Sequence, residues 1–379
     1  MKRGQCARRA KALSRQSKSR EKRLARARSV MMAPAPLPVP DDSSAAMEDD
    51  AQSSRTQDTT SKNEQKRHEK RRAQELIYAE QFMRAEWMID VPDDLRDHWL
   101  VLPRPEGQRC MVVANGGQTV SRTKRGRLLH RFQSALPNGS RSTAGNTGPC
   151  ILDCVYQEGS VNGYLVIDVV CWKNYSLYDC NTEFRFFWAI SKFQEITVNG
   201  TLPRTASNDY PFTLIPYSHC APEAIAAAYR SDFGFIKDGL LFYNREARYA
   251  FGTTPLVLRW KDAACSRYCI NSQEGPLIAA LQYFATDRSL RTAEGFIVAR
   301  ALQQDFEDGK IARFSIGMLT ETPPDTSLPL NELGIYLSEV QHHSKCGKSR
   351  FLPDALSKIA FQSLVRDGKG LSIQSIAGV

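Results

Sequence analysis

Two pairs of cysteines are the first residues in this sequence whose type and spacing suit chemistry. Cys150 and Cys154 form one pair and Cys265 and Cys269 the other, each with three intervening residues. Thiolates at this spacing can bind zinc, but neither pair has histidine partners, and the first lies in a strand-like segment where buried cysteine is common. The sequence also lacks a P-loop and a recognisable Ser/His/Asp or Cys/His arrangement. We therefore expect no metal, no cofactor and no catalytic residue.

The second candidate is a concentration of positive charge at the start of the chain. Lys and Arg number 51 and Asp and Glu 41, a formal net charge of +10. Residues 1–32, called the basic arm below, hold twelve basic residues and one acid, so the rest of the chain sums to −1. This asymmetry excludes a uniformly basic nucleic-acid coat and predicts a near-neutral body with a separate arm. Acidic protein receptors and RNA phosphates would both attract such an arm. The basic residues that we select in it are Arg8, Arg9, Lys18, Arg20, Lys22, Arg23, Arg26 and Arg28.

Length and composition narrow the class of protein further. A chain of 379 residues with 42% apolar content can build one or two domains with a sizeable core. No apolar run approaches the ~20 residues of a membrane-spanning helix, and no secretory signal is recognisable. Ten cysteines are ordinary usage for a reducing compartment. The Arg- and Ser-rich composition of the arm leaves a mitochondrial transit peptide open.

The elements that must position any site follow from composition and periodicity. Residues 33–75 contain a proline-rich spacer and a polar acidic stretch, for which we predict disorder, and then the start of a basic helix that runs through Met88. Residues 76–272 are predicted to form one α+β domain with mainly antiparallel sheet. Residues 273–379 form a C-terminal extension to which the sequence assigns no role.

Short segments rich in branched and aromatic residues, separated by Gly, Asn and Ser, predict the strands of this domain. Two interruptions, 179–192 and 222–232, have helical character. The predicted strands lie at 99–102, 109–113, 151–156, 164–172, 239–243 and 255–261.

Several of these segments resemble the motifs of the covalent nucleotidyltransferases, which include mRNA capping enzymes and nucleic-acid ligases. The matching segments are Asp238-Gly239-Leu240-Leu241-Phe242, Tyr249, Gly252-Thr253, Leu258-Arg259-Trp260-Lys261, Leu152-Asp153-Cys154-Val155-Tyr156 and Val112-Val113-Ala114-Asn115-Gly116. In that family a lysine amine attacks the α-phosphate. Here Val113 occupies the position of that lysine, and Asn115 occupies the position of the acidic residue that follows it. Cys154-Val155 replace a Gly-Glu pair of the family. The resemblance implies a nucleotide-shaped pocket without covalent chemistry.

A closer resemblance, over roughly residues 76–262, is to the cap-binding domain of the snurportin family. It rests on 86–95 (EWMIDVPDDL), 131–137 (RFQSALP), 151–156 (ILDCVY), 168–172 (DVVCW), 178–186 (YDCNTEFRF), 238–243 (DGLLFY) and 254–257 (TPLV). The resemblance implies two packed antiparallel β-sheets with flanking helices, plus a disordered basic arm. It further implies a non-enzymatic adaptor that binds the 2,2,7-trimethylguanosine cap of small nuclear RNA. Such an adaptor links the ribonucleoprotein to importin-beta through the arm, shuttles between cytoplasm and nucleus, and is a possible cargo of a nuclear export receptor.

By the same resemblance the cap-binding residues are Trp87, Arg109, Lys124, Trp260 and Arg84. An indole can stack on the cationic base, and the cations can meet the triphosphate. Arg84 replaces a leucine of the family, and Trp260 lies one residue later than expected, so that either a bulge compensates or Arg259 faces the base. Two other classes stay open: an active RNA guanylyltransferase or ligase, and an organellar RNA-binding protein.

Overall fold

The computed structural model describes most of the chain outside the linker. The described residues are 2–18, 20–21, 24–25, 28, 78, 81–145, 148–197, 200–267, 275–300, 306–317, 319–323, 328–329, 331–346 and 352–378. The predicted disorder in the linker, the predicted basic helix up to residue 77, and Lys22, Arg23, Arg26 and Cys269 lie outside these residues.

Within the described residues, strands outnumber helices. The strands are β1 (Met83–Trp87), β2 (Trp99–Pro105), β3 (Gln108–Asn115), β4 (Gln118–Thr123), β5 (Leu128–Phe132), β6 (Cys150–Gln157), β7 (Gly163–Trp172), β8 (Tyr175–Ser176), β9 (Thr201–Leu202), β10 (Phe212–Leu214), β11 (Ser218–His219), β12 (Lys237–Asn244), β13 (Gly252–Trp260), β14 (Leu277–Phe284), β15 (Ser289–Arg291), β16 (Ile297–Arg300), β17 (Ile311–Ile316), β18 (Leu319–Thr320), β19 (Tyr336–Leu337) and β20 (Gln341–Lys345). The helices are α1 (Lys2–Lys18), α2 (Leu95–His98), α3 (Thr182–Gln194), α4 (Pro222–Arg230), α5 (Leu356–Arg366) and α6 (Ile373–Ala377). None of the described helices is long and apolar enough to span a bilayer.

Two mainly antiparallel sheets form the central part of the molecule. The first sheet has the order β1-β13-β12-β2-β11, and the second has the order β5-β4-β3-β6-β7-β10-β9, with β8 beside β7. Only β1–β13 and β7–β10 pair in parallel within these two sheets. A core that includes Leu102, Met111, Leu241 and Val257 joins them. The predicted α+β architecture with two packed antiparallel sheets is confirmed.

The outer face of the first sheet is covered by the C-terminal part of the chain. One continuous core contains Trp99 and Leu258 of that sheet together with Leu281, Phe314 and Phe361. These last three belong to a third sheet, of order β16-β15-β14-β17-β20, and to α5. Residues 275–378 therefore share their hydrophobic core with the domain predicted over 76–272.

Two elements differ from the sequence expectations. The helix predicted through Met88 is wrong at Met83–Trp87, which form β1, because parallel pairing with β13 outweighs the local helix propensity. The arm was expected to be disordered, whereas Lys2–Lys18 form α1. The helices predicted at 179–192 and 222–232 are confirmed as α3 and α4.

Candidate functional site

Cationic side chains from both sheets meet at one region, called the cationic cluster below. It comprises Arg84 on β1, Arg104 on β2, Arg109 on β3, Lys124 just after β4, Arg259 on β13 and Lys261 just after β13. The charges of Arg109, Arg259, Arg104 and Arg84 all act on Lys124, which shows that the two sheets bring them close together.

Arg109 is held in place by a carboxylate from the neighbouring strand. Its Nε and Nη2 donate to the two oxygens of Asp153 at 2.9 and 2.5 Å, a bidentate arrangement. The hydroxyl of Tyr249 donates to the same carboxylate at 2.6 Å. Burial opposes the charge of Arg109, but the fully buried Asp153 carboxylate raises the pKa of Arg109 above its usual value. The pair fixes the guanidinium, and the side chain of Arg109 as a whole remains 17% exposed.

Asp238 joins two further cations at the start of β12. Nη1 of Arg104 donates to both the backbone oxygen and the carboxylate of Asp238, and Nζ of Lys261 lies 3.1 Å from Oδ1. The register of β12 against β2 shifts here, and Gly239 has φ of +101°. A Cβ at this position would lie 2.2 Å from the backbone oxygen of Trp260, so the bend requires glycine.

Lys124 is exposed at the edge of the cluster. Cys110 on β3 and Thr123 on β4 are the last paired residues of these two antiparallel strands. Arg109 and Lys124 are the next residues, so they lie side by side. Desolvation and the positive charges of Arg109, Arg259, Arg104 and Arg84 lower the pKa of Lys124 to about 8. The side chain has solvent access, so an incoming anion can reach it without rearrangement of the core.

Arg259 lies over the indole of Trp87. Its guanidinium carbon is 4.1 Å from the ring centroid, a cation–π contact, and its buried Nε has no hydrogen-bond partner among the described residues. Desolvation, followed by the charges of Arg104 and Arg109, lowers the pKa of Arg259 to about 9. An arginine stays charged in water and in proteins, so this shift indicates an unfavourable position that an anion would relieve.

The C-terminal helix α5 supports the other side of Trp87. The ring of Phe361 lies 4.7 Å from the indole centroid, and the backbone N–H of Trp87 donates to the hydroxyl of Ser357 at 3.2 Å. Trp87 is 4% exposed. A base can therefore stack on it only where Arg259 now lies.

Trp260 does not contribute to this site, and the sequence prediction for it is corrected. Its side chain is 1% exposed and lies in the core on the outer face of the first sheet, and its Nε1 donates to the backbone oxygen of Leu371 at 2.9 Å. Side chains alternate along a strand, so Arg259 faces the second sheet together with Val257, which lies in the core between the sheets. Of the two alternatives left open, the structure shows the one in which Arg259 faces the site.

The structure thus brings together four of the five predicted site residues and adds others. Arg84, Trp87, Arg109 and Lys124 come together, whereas Trp260 does not. Sequence reasoning missed Arg104, Lys261 and their partner Asp238 as members of the site. Members of this cluster of six cations form ion pairs with two carboxylates, Asp153 and Asp238, while Glu106 and Asp354 act on Arg104 and Arg259 without a direct ion pair. Positive charge is therefore in excess among the described residues.

Two other features bear on the chemistry. Val113, at the position where the nucleotidyltransferases have their lysine, is partly buried against the core between the sheets. A cavity of about 310 Å³ near the ends of β2 and β6 is lined partly by Glu106 and Glu158 and contains none of the predicted site residues. Among the described residues, no group of three or more His, Cys, Asp or Glu side chains could hold a metal ion.

The described arm residues form their ion pairs with carboxylates outside the cationic cluster. Arg8 and Arg9 form ion pairs with Glu86 and Asp90, and Arg20 does so with Asp179. Lys18 and Arg28 are exposed.

Comparison with solved structures gives matches of low similarity. The ligase domain of M. tuberculosis LigD is 11% identical, with 69% of this chain and 94% of that chain covered and a TM-score of 0.34. A mycobacterial DNA ligase D complexed with ATP and MES is 13% identical, with 69% and 85% covered and a TM-score of 0.31.

Comparison with protein families gives a specific match over the two packed sheets. Residues 81–262, which contain every member of the cationic cluster, match the family described as Snurportin1, m3G cap-binding domain. The central domain of this chain is therefore similar to the m3G cap-binding domains of the snurportin family.

Proposed function

We propose that the domain formed by residues 81–262 binds the 2,2,7-trimethylguanosine cap of RNA at the cationic cluster. The observation that carries the proposal is the excess of cations between two sheets of a domain that matches this family. A cap triphosphate is strongly anionic, and fixed guanidinium groups bind phosphate oxygens well. Arg109, fixed by Asp153, and the accessible Lys124 are suited to that role.

Trp87 and Arg259 form the proposed base site. Methylation at N7 makes the guanine ring cationic. The methylated base can therefore make a cation–π contact with the same face of the Trp87 indole that the Arg259 guanidinium now occupies. In this proposal the cap base takes the place of Arg259 on the indole, and the displaced guanidinium turns to the phosphates. Base stacking of this kind contributes ~1–3 kcal/mol.

Substitution of Lys124 tests the phosphate part of the proposal. Lys124→Ala is expected to weaken binding of a trimethylated cap analogue about tenfold, or ~1.4 kcal/mol, because one charge-assisted hydrogen bond is lost. Arg127→Ala, at an exposed arginine three positions along the same hairpin, is the matched control and is expected to bind normally. Fluorescence titration with trimethylated, monomethylated and unmethylated analogues measures affinity and selectivity together. Equal affinity of both variants for the cap would contradict the proposed phosphate site.

We further propose that the protein is an import adaptor and not an enzyme. In this proposal the cap domain carries capped small nuclear RNA, the basic arm links it to importin-beta, and the protein shuttles between cytoplasm and nucleus. The link between the arm and importin-beta is supported by the charge of +11 that the arm concentrates outside the cap domain. Binding of purified importin-beta to the full chain, with and without charge-reversed arm residues, tests it.

An active guanylyltransferase or ligase is the competing function. Val113 has no lone pair with which to attack a phosphate, so no covalent nucleotide adduct is expected. Incubation with radiolabelled GTP or ATP, followed by denaturing electrophoresis, is the check, with a capping enzyme as positive control. A labelled band at the mass of this protein would refute the adaptor function.

A further inference from the structure

The basic arm rests on the body of the protein through a set of ion pairs. Nη2 of Arg8 lies 2.6 Å from Oε1 of Glu86, a side chain with no exposed surface. Arg9 approaches Asp90 at 3.9 Å. Lys11 forms an ion pair with Glu332, which Arg8 also approaches at 3.5 Å.

Neutral contacts extend along the same helix. Gln5 has no exposed surface, and its Nε2 lies 3.5 Å from the backbone oxygen of Trp87. A Cβ on Gly4 would lie 3.0 Å from the backbone oxygen of Glu332, which shows how closely the helix approaches that loop. Further along, the side chain of Gln16 accepts from the backbone N–H of Arg248 at 2.6 Å and donates to the backbone oxygen of Glu246 at 3.2 Å. The contact therefore runs over most of α1.

The sequence of α1 explains why the helix needs the body. Lys2–Lys18 contain seven basic residues and no acid, and their apolar side chains do not form a stripe. Like charges three and four positions apart repel one another, and an isolated helix of this length is marginal even without repulsion. The carboxylates that compensate the charge come from the body.

We propose that Glu86, Asp90 and Glu332 form an acidic groove that binds a basic helix, and that its occupant is the chain's own arm. Arg8 and Arg9 cannot pair with these carboxylates and with an acidic receptor at the same time. Docking of the arm in the groove therefore competes with binding of a receptor. The receptor part of this inference rests on the proposed function, whereas the docking itself does not.

The size of the competition follows from the docked fraction. The apparent dissociation constant for the receptor rises as the fraction of free arm falls. If one arm in ten is free, a variant that releases the arm binds the receptor about tenfold more tightly. The acidic groove therefore lowers the affinity of the arm for its receptor, although the groove itself does not contact the receptor.

Hydrogen exchange of the full-length protein, followed by mass spectrometry, tests the docking. Peptides within residues 2–18 are expected to exchange at least tenfold more slowly than an unstructured chain in low salt, and faster in 0.5 M NaCl because salt screens ion pairs. Arg8→Ala and Glu332→Gln are expected to reduce this protection severalfold. Lys18→Ala, at an exposed arm residue, is the matched control and should keep it.

Two results would overturn the docking: unprotected arm amides in the wild-type protein, or equal protection in the Arg8→Ala and Lys18→Ala variants. Glu332→Gln leaves the arm sequence intact, so its affinity for importin-beta reports on competition alone. Tighter binding than wild type supports the groove as a competitor, and unchanged binding contradicts it. Protected arm amides without any importin-beta binding would leave the docking standing and refute the proposed receptor.

Discussion

At the scale of single residues, the site depends on how positive charges are compensated. Arg109 has its own carboxylate, Asp153, and Arg104 shares Asp238 with Lys261. Lys124 and Arg259 form no ion pair with a carboxylate among the described residues, and their pKa values are lowered to about 8 and about 9. Burial also lowers the pKa of Arg104, to about 10, but Arg104 already has Asp238 as a partner. Lys124 and Arg259 therefore gain most from a bound anion.

The lowered pKa of Lys124 predicts a pH-dependent affinity for the cap triphosphate. In the free protein the lysine loses its proton near pH 8, and a bound phosphate raises that pKa again. Affinity is therefore expected to fall as the pH rises, by about fivefold between pH 7 and 9, because protons must be taken up on binding. Titrations at several pH values measure it. Lys124→Arg should bind with little pH dependence over this range, and the same slope in both proteins would contradict the assignment to Lys124.

At the scale of elements, β1 and α5 decide the shape of the base site. The register of β1 against β13 shifts between Ala85 and Glu86. Beyond this bulge Glu86 pairs with Arg8 of the arm, while Trp87 packs between Arg259 and Phe361. Helix α5 lies outside the segment that matches the family, yet it supplies the surface behind Trp87.

Truncation of Phe361 tests whether this helix belongs to the core of the cap domain. Phe361→Ala is expected to lower the free energy of unfolding by about 3–5 kcal/mol, because a 6% exposed aromatic side chain leaves a cavity beside Trp87. Ser363→Ala, at a partly exposed residue of the same helix, is the control and should change it by less than about 0.5 kcal/mol. Denaturant unfolding followed by tryptophan fluorescence gives both values. Equal stability of the two variants would show that the domain is independent of α5.

At the scale of the whole molecule, the charge of +10 is divided between two places with different partners. The arm carries an excess of +11 and lies on carboxylates of the body, and the cationic cluster lies in a body that sums to −1. The distribution favours recognition of one anionic end of an RNA by the cluster and recognition of an acidic surface by the arm.

The amino-acid sequence alone predicts the strands β2, β3, β6, β7, β12 and β13 and the helices α3 and α4. Their signals are local: branched and aromatic residues between turns for strands, and an N-terminal proline or capping asparagine for the helices. Arg109 and Lys124 were selected by the resemblance to the snurportin family, and no local pattern of the sequence predicts their role.

The other features of the fold and the site could not be predicted, because they depend on pairing between distant segments. Strand β1 exists through its pairing with β13, although its own sequence favours a helix. A shift of one residue in the register of β13 decides whether Arg259 or Trp260 faces the site. Pairing of β13 with β12 and packing of Trp260 in the core formed with the C-terminal part of the chain set this register. Carboxylates 78 and 321 residues away neutralise part of the charge of α1, and no local pattern contains that information.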